Sequence, residues 1–240
     1  MSVMLKYLSM IPGFDLIEFA QTAGPIAALL LVIYIIFAEN GLLVGFFLPG
    51  DSILFTLGVL LQGTKTVKLD FDINFVILLL FISATIGSSV GYAFGRKIGP
   101  KLFKKPNSLL FKQENVKKAQ DFYDKHGVKT IILARFVPIV RTFAPLLAGI
   151  AKMKYSTFIT FNIIGGVMWV GGVTYIGYFL GDWMNYAGID VDAVLLPIVA
   201  LILVASISPA IFELLKTKEQ RKQIIKLIKT QWRKFIKRKK

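Results

Sequence analysis

The 240-residue chain has no cysteine and a single histidine, His126. The first absence excludes disulfides, thiolate metal sites and cysteine nucleophiles, and the second leaves nothing from which to build a histidine metal cluster. No nucleophile–histidine–acid triad and no GxxxxGK(S/T) phosphate loop is visible, so chemistry of the histidine-dependent lipid-phosphatase kind has no catalytic group here. His126 stands beside Gly127 at the end of a predicted surface helix, where it reads as a capping residue. Acidic residues are scarce, 14 against 29 Lys and Arg, for a net charge of +15. The N-terminus also lacks the basic region, apolar core and small-residue cleavage site of a secretory signal, and none is expected.

What the chain has is apolar length. It is 55% hydrophobic with a mean hydropathy of +0.65, too apolar for a soluble domain of this size, which makes it an integral membrane protein. Spans are expected at about 24–44, 75–95, 155–180 and 191–215. Residues 14–21 are mildly amphipathic and suit the interface, and 64–74 read as a polar loop on the outer side. Basic charge is concentrated in two blocks. Residues 216–240 hold twelve Lys and Arg against Glu219, a net +11, and 96–129 hold ten against Glu114, Asp121 and Asp124, a net +7. Basic flanks stay cytoplasmic, so the loop 97–129 (with a surface helix in ENVKKAQDFYDKHG) and the tail 216–240 are both expected on that side. The tail spaces Ile225, Ile228, Trp232 and Phe235 between lysines, as an amphipathic helix on an anionic leaflet does. Nucleic-acid binding is not expected.

Two apolar stretches carry charges and helix breakers together. FAENGLLVGFFLPGDSILFTLGVL holds Glu39 and Asp51 with Pro49 and Gly50; IILARFVPIVRTFAPLLAGI holds Arg135 and Arg141 with Pro138 and Pro145. Charge at bilayer depth costs roughly 2.5–3.5 kcal/mol on insertion scales, so such groups face a partner or a wet cavity. The four prolines and glycines read as helix breaks and hairpin tips. If 130–150 crossed fully, one basic block would lie outside; if it enters and returns, both stay inside. Re-entrant hairpins are therefore expected at about 39–63 and 130–150, within one membrane domain over 1–215.

The chain also repeats. SVGYAFGRK at 89–97 aligns with YIGYFLGDW at 175–183, and each copy follows a broken stretch. Their charge flanks place the copies in opposite orientations, the inverted-repeat plan of many transporters. The expected fold is thus an all-α polytopic membrane protein, an inverted repeat with two opposed hairpins plus about four transmembrane helices. Gly87, Gly91 and Gly95 form one small-residue stripe, and Gly165, Gly166, Gly171, Gly172, Gly177 and Gly181 another; both suit close helix packing.

Two acids and two bases cancel, which a low-dielectric site requires if all four are ionised. One reading makes them structural ion pairs between the hairpins. The other has Arg135 and Arg141 bind an anionic head group, since a planar guanidinium forks onto phosphate. Glu39 and Asp51 would then carry protons or partner the arginines, and Asn40 would add a hydrogen bond.

At these residues the chain resembles the DedA family of membrane proteins, related in fold to the wider VTT-domain lipid scramblases. The resemblance covers roughly residues 25–182. It rests on FAENGLLVGFFLPGDSILFTLG, GYAFGRKIG, KHGVKTIILARFVPIVRTFAPLLAGIAKM and the helix from Tyr155 to Trp183. It implies opposed re-entrant hairpins and lipid translocation across a bacterial cytoplasmic membrane, of undecaprenyl phosphate or of phospholipids, driven by the proton motive force. It carries the family's functional acids onto Glu39 and Asp51 and its arginines onto Arg135 and Arg141. The partners so implied are membrane lipids, an anionic lipid-phosphate substrate and protons, with no cofactor and no enzymatic step. A passive phospholipid scramblase and an ion or proton antiporter are the alternatives, and homo-oligomerisation is left open.

Overall fold

Apolar helices connected by glycine- and proline-marked breaks make up the regular structure of the computed structural model, which describes residues 12–42, 48–102, 135 and 138–215. No strand occurs among the described residues. The helices are α1 (Pro12–Ala23), α2 (Pro25–Gly41), α3 (Gly50–Gln62), α4 (Ile73–Leu102), α5 (Pro138–Ile150), α6 (Tyr155–Tyr186) and α7 (Val191–Leu215). Two are long and apolar enough to cross a membrane, α4 over Ile73–Lys97 and α6 over its whole length. They fall on the spans expected at 75–95 and 155–180.

The local sequence explains the boundaries. Pro25 opens α2, where a missing N–H costs nothing, and Gly24 before it has φ +88°. Pro49 and Gly50 likewise stand at the start of α3 and Pro138 opens α5. Gly63, at φ +102°, closes α3 with its N–H on the Val59 carbonyl. Pro145 behaves differently from expectation: it lies inside α5, which continues to Ile150. It removes the N–H that would reach the Arg141 carbonyl, but the flanking turns hold and no break follows.

At 13 residues each, α3 and α5 extend about 20 Å, well short of the roughly 30 Å hydrocarbon core. Their C-terminal ends lie toward opposite ends of α6. The last residue of α3, Gln62, bonds Asp182 near the end of α6 at 2.5 Å. The far end of α5 lies by Tyr92, whose hydroxyl donates to the Met153 carbonyl at 2.5 Å just before α6 begins. The first turns of α3 and α5 meet between these ends.

Packing is by backbone against backbone at glycine. A Cβ on Gly58 of α3 would collide with the Thr174 carbonyl of α6, and one on Gly177 with the Phe55 carbonyl of α3. The other pair repeats this: a Cβ on Gly149 of α5 would collide with the Tyr92 carbonyl of α4, and one on Gly95 with the Leu146 carbonyl of α5. Residues 55 and 58 against 177 and 174 thus match 146 and 149 against 95 and 92. Each short helix packs on the long helix of the other sequence repeat. The packing match pairs Gly177 with Gly95, one helical turn away from the sequence alignment, which pairs it with Gly91. Gly171 and Gly172 make no such contact, since a Cβ there meets nothing within 4 Å.

One apolar core joins Leu16 of α1, Val32 and Ile36 of α2, Leu54 and Leu57 of α3, Val76 and Leu80 of α4 and Trp169 of α6. A second sets Phe55 and Val59 against Met184, Val191, Leu195 and Val199. The residues expected at the interface, 14–21, fall within α1. The compact unit runs to Leu203, and α7 continues as helix beyond it.

At the acidic end, the loop after α3 is tied to the α6–α7 connection. Lys65 Nζ lies 2.8 Å from Asp190 Oδ2, and the Thr66 hydroxyl donates to Asp192 Oδ1 at 2.9 Å. The hydrogen bond and charge of the partner hold the Asp190 carboxyl below its ordinary range and raise the Lys65 ammonium above its own. Most of the loop expected at 97–129, His126, most of the first part of the hairpin expected at 130–150 and the tail 216–240 lie outside the described residues.

Candidate functional site

The four charges of the two broken apolar stretches sit on three helices and one turn. Glu39 is in the last turn of α2, Asp51 in the first turn of α3, Arg141 in the first turn of α5, and Arg135 in the turn before it. Glu39, Arg135 and Arg141 are each 2–3% exposed. Three of the four meet at one guanidinium. Arg141 Nη1 donates to Asp51 Oδ1 at 2.7 Å, and Nη2 makes a short ion pair with Glu39 Oε1. The Arg141 guanidinium carbon lies 4.1 Å from the centroid of the Trp169 ring, a cation–π geometry. The Trp169 indole N–H donates to the same Asp51 Oδ1 at 2.7 Å. Asp51 therefore anchors both the cation and the ring that covers it. Gly50 is required beside them, because a Cβ there would collide with the Glu39 carboxylate.

Arg135 is separate. Its Nη2 donates to Ser88 Oγ at 3.0 Å and to Asn162 Oδ1 at 2.5 Å. No carboxylate stands within ion-pair distance of it among the described residues. Gly166 gives it room, with the Arg135 guanidinium carbon 3.7 Å from where a Cβ would be. Three buried donors around this pair of arginines have no acceptor: Arg135 Nη1, Arg141 Nε and Asn162 Nδ2. Glu39 Oε2 is buried without a donor. Buried polar groups are rarely left so.

The two arginines thus divide: Arg141 is held by both acids, and Arg135 faces only neutral partners. Asn40, expected to help at Glu39, instead turns its amide back to the Ile36 carbonyl of its own helix at 2.8 Å. Ser88, Asn162 and Trp169 were not singled out from the sequence. Asn162 had a signal, an amide alone in the apolar run FITFNIIGG; Ser88 and Trp169 carry none that separates them from their neighbours. Among the described residues, no group of three His, Cys, Asp or Glu side chains gathers in a way that would hold a metal.

Two apolar helices of spanning length, with two short helices whose first turns meet at a buried charge cluster, define an all-helical protein of membrane type. Comparison with known proteins narrows the class. The VTT domain profile matches residues 48–187. Protein DedA of Escherichia coli is 45% identical over 184 residues, covering 77% of this chain and 80% of its own length. A membrane protein of Mycobacterium leprae is 45% identical over 174 residues, covering 71% and 75%. The inner membrane protein YqjA of E. coli is 35% identical over 167 residues, covering 68% and 74%. No solved structure matches. The chain belongs to the DedA family of VTT-domain membrane proteins, a family of membrane transport or scrambling proteins.

Proposed function

We propose that the protein moves an anionic lipid phosphate across a bacterial cytoplasmic membrane, with undecaprenyl phosphate as the substrate and protons as the coupling ion. The observation that carries this reading is Arg135: a buried guanidinium with no carboxylate partner among the described residues, whose Nη1 lacks an acceptor, as does the Nδ2 of its neighbour Asn162. A phosphate oxygen supplies the acceptors these donors lack. The first turns of α3 and α5 bring the positive ends of two helix dipoles to the same place.

Arg141 then acts as the switchable member. Held by Glu39 and Asp51, it has both Nη groups engaged, and only Nε lacks an acceptor. A proton taken by Glu39 at its unpaired Oε2 weakens that hold and turns part of the guanidinium toward the anion. In this scheme α3 and α5 are the inner limbs of two re-entrant hairpins, and the basic flanks and tail stay cytoplasmic.

The test is transport of a fluorescent polyprenyl phosphate in proteoliposomes with an imposed pH gradient. Arg135→Gln should reduce flux at least tenfold while the protein remains folded. Undiminished flux in that variant overturns the head-group assignment. Flux indifferent to the gradient overturns the coupling and leaves a passive scramblase.

A further inference from the structure

The helices sort into two groups by how their backbones meet. In the first, α2, α4 and α5 pack backbone to backbone at glycine. A Cβ on Gly41 would meet the Gly87 carbonyl at 2.8 Å, one on Gly87 the Phe37 carbonyl at 2.5 Å, and one on Gly149 the Tyr92 carbonyl at 2.1 Å. The Ser83 hydroxyl adds a bond to the Ile33 carbonyl at 2.6 Å. In the second, α3, α6 and the first part of α7 are joined. A Cβ on Gly58 would meet the Thr174 carbonyl at 2.1 Å, and one on Gly177 the Phe55 carbonyl at 2.2 Å. Phe55 and Val59 pack on Val191 and Leu195, and Gln62 and Lys65 reach Asp182 and Asp190. Backbones this close interlock.

Across the two groups, glycines meet side chains instead. A Cβ on Gly50 would meet the Glu39 carboxylate, and one on Gly166 the Phe81 ring at 3.3 Å. Leu54 and Leu57 share an apolar core with Val32, Ile36 and Leu80, Tyr92 stacks on Phe158, and the hydroxyls of Tyr155 and Tyr175 bond Ser89 and Asn74. The charge cluster lies on this seam. Both arginines belong to the first group, and each bonds one partner in its own group and one in the facing group. Arg141 takes Glu39 and Asp51; Arg135 takes Ser88 and Asn162.

We infer that the protein works as two bodies, one of α2, α4 and α5 and one of α3, α6 and the first part of α7, that shift against each other along this seam, with Arg141–Asp51 and Arg135–Asn162 as its latches. Interfaces made of side chains accommodate small sliding of packed helices, which interlocked backbones resist. The bodies are not the two sequence repeats: α3 leaves the first repeat to join α6, and α5 leaves the second to join α4. Motion of repeat against repeat would break the contacts of Gly58 with Thr174 and of Gly149 with Tyr92; motion of these bodies keeps both. The division rests on packing and holds whichever lipid is moved.

The absence of cysteine lets spin labels be placed in pairs on the full-length protein in nanodiscs, at exposed positions. Ile86–Val140 and Phe179–Leu201 report within the bodies, and Tyr34–Ile176 and Ile86–Phe179 between them. Asp51→Asn combined with Asn162→Ala weakens both latches. It should broaden the between-body distance distributions at least twofold and leave the within-body ones as in the parent. Asn162→Ala alone, which keeps all four charges, serves if the double variant does not fold. Equal broadening of either within-body pair overturns the two bodies, and between-body distributions like the parent's overturn the latches. The measurement needs no substrate, so its outcome is independent of the transport result for Arg135→Gln.

Discussion

Arg141 and Asp51, ninety positions apart, meet with Nη1 2.7 Å from Oδ1, and Asp51 accepts at the same oxygen from the Trp169 indole. The contact joins the first turn of one short helix to the first turn of the other. It also distinguishes Arg141 from Arg135, whose side chain meets Ser88 and Asn162 instead.

Arg141→Ala leaves the buried Glu39 carboxylate without its ion pair and takes the cation from Asp51, and removing one partner of a buried pair costs about 3–5 kcal/mol. Arg135→Gln removes a cation that has no carboxylate partner among the described residues and keeps an amide able to donate. Thermal unfolding in detergent should show a large loss for Arg141→Ala and little change for Arg135→Gln. The transport assay should show a large loss for both.

Trp169→Phe keeps a ring over the Arg141 guanidinium but deletes the N–H that Asp51 accepts. Hydrogen bonds to charged groups contribute about 1.5–3 kcal/mol, and a loss of that size is expected on unfolding. Trp169→Leu, which also deletes the cation–π contact, should lose more.

The two reciprocal glycine contacts predict paired effects. Gly58→Ala and Gly149→Ala each force a Cβ into a facing carbonyl, and overpacking costs about 1–3 kcal/mol. Gly172→Ala, with nothing within 4 Å, should be neutral or gain up to about 1 kcal/mol from helix propensity. Equal tolerance of all three in unfolding measurements would remove the close-packing account.

Gly50→Ala should disrupt the cluster, since its Cβ would enter the space of the Glu39 carboxylate. Glu39→Ser on that background removes the obstruction and should recover thermal stability without recovering proton-coupled transport.

The Lys65–Asp190 tie has a defined pH window. Asp190 is lowered from 3.8, so its contribution is present above that value and is lost as the pH falls through the lowered one. Lys65 is raised from 10.5, so its contribution is present below that value and is lost as the pH rises through the raised one. The tie stands across the neutral range. Both groups are exposed, so Lys65→Met should lower the thermal midpoint slightly in low salt and not at all in 1 M salt.

Much of the scaffold was legible from residue type and spacing. Apolar runs mark α4 and α6, Pro49–Gly50 and Pro138 mark where the short helices start, and the two GYxxG copies mark where they pack. Other features were misread for physical reasons. Pro145 looked like a break, but a single lost N–H inside a packed helix is tolerated. Asn40 was expected to add a hydrogen bond at the site, but its amide donates to the Ile36 carbonyl one turn back. The glycine stripe looked uniform, although only some of its members face another backbone.

The sequence by itself determined that the protein lives in a membrane, and that two acids and two arginines stand in apolar stretches where lipid would not hold them. These follow from composition, period and the cost of charge at depth, which need no coordinates. Only the tertiary structure decided that each short helix packs on the other repeat's long helix, because glycine contacts form across the pair. It alone assigned Arg141 to both acids and Arg135 to Ser88 and Asn162. Two arginines six residues apart are equivalent as letters; the direction each guanidinium takes depends on which helices surround it.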